Sequence, residues 1–468
     1  MRRASLCSFC VLVLLAGCGG GSSDSPGPAS SAGAPSAGSS GSPSVAGVSG
    51  ATAGASGALG SAGGGAAGAS DGAGAPSAGN SAGGGSGAVS AGASGAAGAS
   101  AGFAGYAGSA GSAGANGLPA KASIVATLRK ANSYFVAKWP NPGTAIDASH
   151  PSHIWTRAVY FEGLMALNGV DPQASDITYA TQWGTSHSWG LNGGTTTRSA
   201  DNQCAGQTYL DLYAIDKQAV RIADIKTNID MVVAGSAVND WTWVDAIQMA
   251  MPVFAKLGAM GTSTAYYDKM YAMYASSRNS QGAAGFYNKT EHLWWRDADF
   301  DPPYTEPNGK NCYWSRGNGW VFAALTRVLD IIPETEAHRA QYLTDFKDMA
   351  DALRAVQRSD GFWNVSLQDP THFGGPELTG TSLFTYGMAW GVRKGLLPAA
   401  TYQPVIEKAW TAMASSVHSN GFLGWVQGTG KQPSDSQPVT FDTVPNYEDF
   451  GTGCFLLGGS EVARLVAP

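Results

Sequence analysis

Apolar side chains recur every three to four residues from Ile124 to Val466, the spacing that places them on one face of an α-helix. Several segments, such as Ala246–Met251, are apolar nearly all round, which is typical of helices buried on more than one side. No segment alternates apolar and polar residues for long enough to predict a strand. The pattern therefore predicts an all-α fold with helices over Ile124–Lys138, Ile154–Leu167, Gln203–Ile215, Trp243–Leu257, Thr264–Ser277, Trp320–Leu329, Arg339–Gln357, Leu383–Lys394, Tyr402–Ser416 and Gly453–Val466.

A short motif, a glycine followed by an aromatic residue, comes after three of these helices. It occurs at spacings of 76 and 60 residues, as Gly285-Phe286, Gly361-Phe362 and Gly421-Phe422. Glycine at a helix end, followed by an aromatic side chain turned inward, suits helical hairpins with long connecting loops. A repeat of about 60 residues leaves room for six hairpins. We predict an (α/α)6 toroid of alternating inner and outer helices, with a less regular helical bundle as the alternative.

The first 18 residues have the pattern of an export signal. Two arginines precede a short apolar run, Phe9–Ala16, and the segment ends in Leu15-Ala16-Gly17-Cys18. The run is too short to span a bilayer. The final four residues resemble a bacterial lipobox, so we expect residues 1–18 to be a lipoprotein signal and Cys18 to be lipid-modified, with plain secretion as the alternative. Gly19 after that cysteine favours an outer-membrane destination.

Residues 19–120 are predicted to be a disordered linker. Between Gly19 and Gly117 the chain is almost only Gly, Ala and Ser, and its only charges are Asp24 and Asp71. Such a composition cannot bury enough apolar surface to offset the entropy lost on ordering. We therefore expect a tether that joins a lipid anchor to a folded domain over residues 121–468.

The charge and cysteine content of this domain excludes several classes of function. Because Arg2 and Arg3 balance the two aspartates of the linker, the domain carries the whole net charge of −6. A nucleic-acid partner is not expected, since it would require a basic surface. The cysteines of the domain lack the spacing of a zinc site, and one disulfide plus one free thiol is possible among Cys204, Cys312 and Cys454. We expect no metal and no other cofactor.

Asp245 is the first candidate for chemistry. It begins a predicted helix whose next turns are apolar, and Trp243 and Met249 flank it. Burial by these neighbours would raise the pKa of the Asp245 carboxyl and make it a proton donor near neutral pH. The alternative is an ordinary residue at a helix N-terminus, which the helix dipole favours.

Asp201 is the candidate for a second carboxylate, although it too could simply cap a helix. Trp314, Arg316 and Asn318 form a third feature in which aromatic rings, a guanidinium and two glycines precede a helix. Such a segment suits a sugar-binding cleft, because Trp stacks on sugar rings and Arg grips carboxylates. Arg296, which follows two tryptophans, suits the rim of the same cleft. The alternatives are a structural loop for the first stretch and a solvated loop around core aromatics for the second.

Together these stretches resemble the unsaturated glucuronyl and galacturonyl hydrolases of glycoside hydrolase families 88 and 105, with the greater likeness to the latter. The resemblance implies an (α/α)6 fold, no metal, and an oligosaccharide substrate that begins with a 4,5-unsaturated uronic acid left by a polysaccharide lyase. The likeness rests on ordered motifs along nearly the whole domain: Trp155–Leu164, Ala200–Tyr213, Trp243–Asp245, Trp314–Trp320, Pro376–Tyr386 and Gly451–Leu456.

By this resemblance, Asp245 would be the general acid and base that protonates C4 and activates the water that adds at C5. Asp201 would orient the substrate and help to keep Asp245 protonated. Trp314 and Arg316 would contact the substrate, and from its chemistry we assign the uronate carboxylate to Arg316. Arg296 stands where some pectin-directed members carry His, so rhamnose as the next sugar does not follow from the resemblance.

Two other functions remain open at this point. An inverting glycosidase on the same fold would use Asp201 and Asp245 as base and acid on saturated chains. A glycan-binding lipoprotein without catalysis would keep the tryptophan-lined cleft but would not need a desolvated Asp245.

Overall fold

The computed structural model describes residues 117–148, 150–261 and 263–466. The predicted signal, Cys18 and nearly all of the predicted linker lie outside these residues. Leu118 is only 1% exposed and packs into the core, so the folded part already includes residues ahead of position 121.

The described residues are helical and contain isolated β-bridges but no named strand. None of the helices in these ranges is long and apolar enough to cross a bilayer. A single 3₁₀ turn covers Ala219–Arg221, and the α-helices are α1 Lys121–Lys138, α2 Trp155–Asn168, α3 Ala174–Ser186, α4 Ala200–Gln203, α5 Ala205–Ile215, α6 Ala223–Ala234, α7 Asp245–Met260, α8 Ala265–Asn279, α9 Ser315–Ile331, α10 Arg339–Ala355, α11 Leu378–Arg393, α12 Ala399–Ser415 and α13 Asp449–Leu465.

Inner and outer helices alternate along the chain. The inner helices α2, α7, α9, α11 and α13 are buried at nearly every position, whereas outer helices such as α1, α8 and α10 bury one side only. The short pair α4 and α5 together makes the remaining inner position, between α2 and α7. Helix α13 packs against both α11 and α2, which closes the ring. The predicted (α/α)6 toroid is confirmed.

The recurrent Gly-aromatic motif forms the turns that lead from outer to inner helices. Gly285, Gly361 and Gly421 have φ angles of 89°, 91° and 96°, a region that favours glycine. The aromatic residue that follows each of them is buried, as the motif predicted.

Helices α2 and α13 pack closely against each other. A Cβ atom placed on Gly163 would lie 2.4 Å from the carbonyl oxygen of Gly453, so only glycine allows the two backbones to pack at this distance.

The N-termini of neighbouring inner helices meet at one face of the ring. Backbone bonds join the segment before α7 to the one before α9, with Val244 N–H donating to the Arg296 carbonyl at 2.9 Å. Ser315 N–H at the start of α9 donates to Val365 at 2.8 Å. At the closure of the ring, the Trp155 and Phe450 rings lie 5.2 Å apart. Residues that start inner helices are thereby brought together.

Candidate active site

Asp201 and Asp245 both lie in the first turn of an inner helix, α4 and α7 respectively, and neither caps its helix through its side chain. Asp245 is 8% exposed. The Asp201 carboxyl accepts no hydrogen bond from the described residues, and burial together with the negative charge of Asp245 raises its pKa to about 7. The two candidate carboxylates are therefore close enough for the charge of Asp245 to act on Asp201.

Arg296 supplies the cation of this site. The backbone bridge between Trp243 and Asp297 brings the Arg296 side chain against the start of α7. Its Nε donates to Asp245 Oδ2 at 3.1 Å, and its Nη1 donates to Asp297 Oδ2 at 2.5 Å. From the sequence, Trp243 and Met249 were the expected neighbours of Asp245, and this cation was not predicted. Trp243 is half-buried in the structure, and Met249, one turn along α7, is 1% exposed.

Arg316 is buried beneath the cleft, with 1% of its surface exposed. Its Nη1 donates to the Gln427 carbonyl at 2.7 Å and its Nη2 to the Gly428 carbonyl at 2.6 Å. The guanidinium lies 4.5 Å from the Trp314 ring centroid and 4.9 Å from that of Phe450. Burial lowers the pKa of Arg316.

These contacts bear on the prediction that Arg316 binds the uronate carboxylate. Because both terminal nitrogens of Arg316 are bound to backbone carbonyls, the side chain holds the 427–428 loop against the start of α9. Its Nε is buried without a partner, and the assignment of the uronate carboxylate to Arg316 stays a prediction. Trp314 also contacts Gln427, since its indole nitrogen donates to Gln427 Oε1 at 2.8 Å. Trp314 is 1% exposed.

Asn318 is also an internal residue, with no exposed surface. Its Oδ1 accepts from Trp294 N–H at 2.8 Å, and its Nδ2 donates to the Trp294 carbonyl at 3.0 Å and the Trp314 carbonyl at 3.1 Å. These bonds fix the segment that carries Arg296. The predicted contact between Asn318 and substrate stays a prediction.

Glu162, on α2, joins the helices that carry the two aspartates, and sequence reasoning missed it. It has no exposed side-chain surface and lies 3.8 Å from Arg327. It accepts from Cys204 Sγ at 3.3 Å and from Gln248 Nε2 at 2.8 Å, so it contacts residues three positions beyond each aspartate. The only signal for it was a carboxylate inside an otherwise apolar helical pattern.

The three cysteines of the described chain are all buried and free, so the disulfide that their number allowed is not formed. Across residues 117–148, 150–261 and 263–466, no group of three or more His, Cys, Asp or Glu side chains could hold a metal ion. The expectation that no metal takes part stays a prediction.

A ring of six helical hairpins, with a carboxylate pair and buried tryptophans where the inner helices begin, is the architecture of a six-hairpin glycosidase. The chain belongs to glycoside hydrolase family 88, whose model, "Glycosyl Hydrolase Family 88", matches residues 127–466. Resemblance to this family is confirmed. Solved structures of possible family 105 members, at 18% identity and a TM-score of 0.59, share the fold.

Two curated relatives are named "Unsaturated 3S-rhamnoglycuronyl hydrolase". The one from Formosa agariphila is 38% identical over 245 residues, which cover 51% of this chain and 62% of the relative. The one from an Alteromonas species is 34% identical over 222 residues, 47% of this chain and 51% of the relative. The matches therefore span only about half to three-fifths of those proteins.

Two solved structures match a larger share of this chain than the curated relatives do. A family 88 glycosyl hydrolase from Bacteroides vulgatus is 30% identical with a TM-score of 0.68, over 74% of this chain and 99% of that one. A structure described as a polysaccharide lyase is also 30% identical, with a TM-score of 0.67, over 74% and 97% of the two chains. An unsaturated glucuronyl hydrolase specific for heparin, at 11% identity and a TM-score of 0.52, shares the fold alone.

Proposed function

We propose that this glycoside hydrolase removes the terminal 4,5-unsaturated uronic acid from oligosaccharides that a polysaccharide lyase has released. The observation that supports the proposal most is the pair formed by Asp201 and Asp245. The pKa of Asp201 is raised to about 7, so this partner of the proposed acid and base can itself hold a proton near neutral pH.

The proposed reaction is a hydration of the C4=C5 bond. The sugar is an enol ether, so a carboxylic acid of the pair protonates C4 and cation character develops at C5. Water adds at C5 and gives its proton to the carboxylate, which restores the pair. The hemiketal formed at C5 then opens, and the glycosidic oxygen leaves as the hydroxyl of the next sugar. We propose Asp245 as the acid and base and Asp201 as its partner.

We propose rhamnose as the sugar that follows the unsaturated residue. Both curated relatives carry names that specify a rhamnoglycuronyl substrate. The uronic acid would accordingly be of the glucuronyl type.

Loss of absorbance from the conjugated double bond tests the proposal. The purified protein is incubated with unsaturated disaccharides prepared by lyases from pectin, glycosaminoglycan and algal polysaccharides. A fall in absorbance that Asp245→Asn abolishes supports hydration. Release of sugar from saturated chains without such a fall would instead indicate an inverting glycosidase, and binding without turnover would indicate a glycan-binding protein.

A polysaccharide lyase is the second candidate, because one structure that is 30% identical over 97% of its length bears that description. A lyase creates the double bond that a hydrolase consumes. The same assay on intact uronate-containing polysaccharide separates them, since lyase activity raises the absorbance.

We also propose that the protein is exported and anchored to a membrane, by preference the outer membrane, through a lipid on Cys18. The support is the lipobox-like sequence after an apolar run. Labelling of cells with a radioactive fatty acid tests this. Label that persists in Cys18→Ala would exclude lipidation at this cysteine.

A further inference from the structure

The carboxylate of a uronate substrate needs a cationic side chain as its partner. The contacts within the site indicate which cation is able to bind it. Arg316 is occupied by the carbonyls of Gln427 and Gly428 and is 1% exposed. Lys431 is 44% exposed and lies 2.8 Å from Asp299, on the outside of the same region. Arg296 is the cation that touches a candidate catalytic carboxylate.

One nitrogen of the Arg296 guanidinium is available to bind a ligand. Nε donates to Asp245 and Nη1 donates to Asp297, whereas Nη2 donates no hydrogen bond within the described part of the chain. The side chain keeps 21% of its surface exposed. A guanidinium that is held by two carboxylates, and that still presents an edge to solvent, is prepared for a planar anion.

We propose that Arg296 binds the carboxylate of the unsaturated uronic acid and that, in the free enzyme, the same guanidinium is held in place by Asp245. This inference rests on the proposed function and assigns its substrate-anchoring residue. Because the free Nη2 shares one edge of the guanidinium with Nε, a carboxylate that accepts from both nitrogens competes with Asp245 for Nε. Substrate binding therefore draws the cation away from Asp245 at the moment when that carboxyl must hold a proton, because a nearby cation favours the ionised form.

Several other charged groups surround this exchange. Asp201 lies within electrostatic reach of both Asp245 and Arg296. The hydrogen bond from Nη1 to Asp297 is retained, so the guanidinium stays in place while Nε exchanges Asp245 for the substrate carboxylate. Arg316 faces Asp245 from the start of α9 but is fixed by its carbonyl contacts.

Binding to a variant without turnover tests the assignment. Asp245→Asn is titrated by calorimetry with an unsaturated rhamnoglycuronyl disaccharide and with its methyl ester, in which the carboxylate is neutral. We expect the acid to bind at least tenfold more tightly than the ester. Adding Arg296→Gln should remove this preference, whereas adding Lys431→Gln, the matched loss of a neighbouring cation, should preserve it.

Three results would overturn the assignment: no measurable binding of the acid or no preference for it, a preference that survives Arg296→Gln, or a preference that Lys431→Gln removes. The replacement of Asp245 by the substrate carboxylate at Arg296 is tested separately, by the affinity for a saturated methyl glucuronide. This affinity should be higher in Asp245→Asn than in the wild type, because the competing carboxylate is absent. Equal affinities would contradict the replacement. Failure of the wild type to consume the double bond would reject the proposed function independently of these binding results.

Discussion

Replacing Asp201 with Asn is expected to make the folded protein more stable, and increasingly so as the pH rises. The carboxyl of Asp201 accepts no hydrogen bond from the described chain and lies near the charge of Asp245, and its pKa is raised to about 7. The ordinary pKa of an aspartate side chain, which we take for the unfolded chain, is 3.8. Folding therefore opposes ionisation of this side chain, and Asn, which stays neutral, avoids the cost.

The size of the effect follows from the two pKa values. Below pH 3.8 both states hold the proton, and the group costs nothing. As the pH rises toward 7, the unfolded state releases the proton while the folded state keeps it, so the free energy of unfolding falls. Above pH 7 the loss levels off at roughly 4 kcal/mol, taking about 1.4 kcal/mol per unit of pKa. About 2 to 3 kcal/mol of this falls between pH 5 and pH 8.

Denaturant unfolding of wild type and Asp201→Asn at pH 5, 6, 7 and 8 measures this difference. The stability advantage of the variant should grow by about 2 to 3 kcal/mol over the range. Asp442→Asn, which removes an exposed carboxylate of the same domain, serves as the control and should show no such trend. An advantage for Asp201→Asn that does not change with pH would refute the claim that Asp201 holds a proton at neutral pH.

Three further predictions concern the ring and the tether. Glu162→Ala should lower the free energy of unfolding by about 3 kcal/mol, because it leaves the buried Gln248 and Arg327 side chains without their carboxylate partner. Glu162→Gln should cost less, and equal losses of the two variants in denaturant unfolding would contradict the role of these contacts. Gly163→Ala should cost about 1 to 3 kcal/mol or more, since its Cβ meets the Gly453 carbonyl; Gly235→Ala, where the nearest atom is 3.6 Å away, is the control, and similar melting temperatures for both variants would contradict the close packing. Deletion of Ser22–Ala110 should leave kcat/KM on a soluble disaccharide within about twofold of the full chain, because the sequence predicts that this segment is only a linker, and a large loss would mean that it takes part in catalysis.

The sequence predicted most of the ring because the inner helices are apolar along most of their length. It missed α3 and α6, whose threonine, aspartate and β-branched residues weaken the helical signal. It also placed the start of α9 at Trp320, five residues late, because Gly317 and Gly319 disfavour a helix on local grounds. Tertiary packing offsets this, since a Cβ on Gly319 would lie 2.9 Å from Leu383.

The candidate carboxylates could be predicted, but their partners could not. Asp201 and Asp245 meet because each begins an inner helix, and a hairpin repeat implies that such positions share a face. The contact between Asp245 and Arg296 instead depends on a single backbone bridge between loops that are distant in sequence. The carbonyls that occupy Arg316 come from positions more than a hundred residues away, and no local pattern identifies them.

The proposed reaction is hydration of C4=C5 of an unsaturated uronide, in which the anomeric carbon is not attacked. Turnover of an unsaturated rhamnoglycuronyl disaccharide in D₂O, followed by NMR, tests it most directly. We expect the double bond to disappear as sugar is released and deuterium from the solvent to appear at C4 of the uronic acid product. Release of a uronic acid that retains its double bond and carries no deuterium at C4 would contradict it.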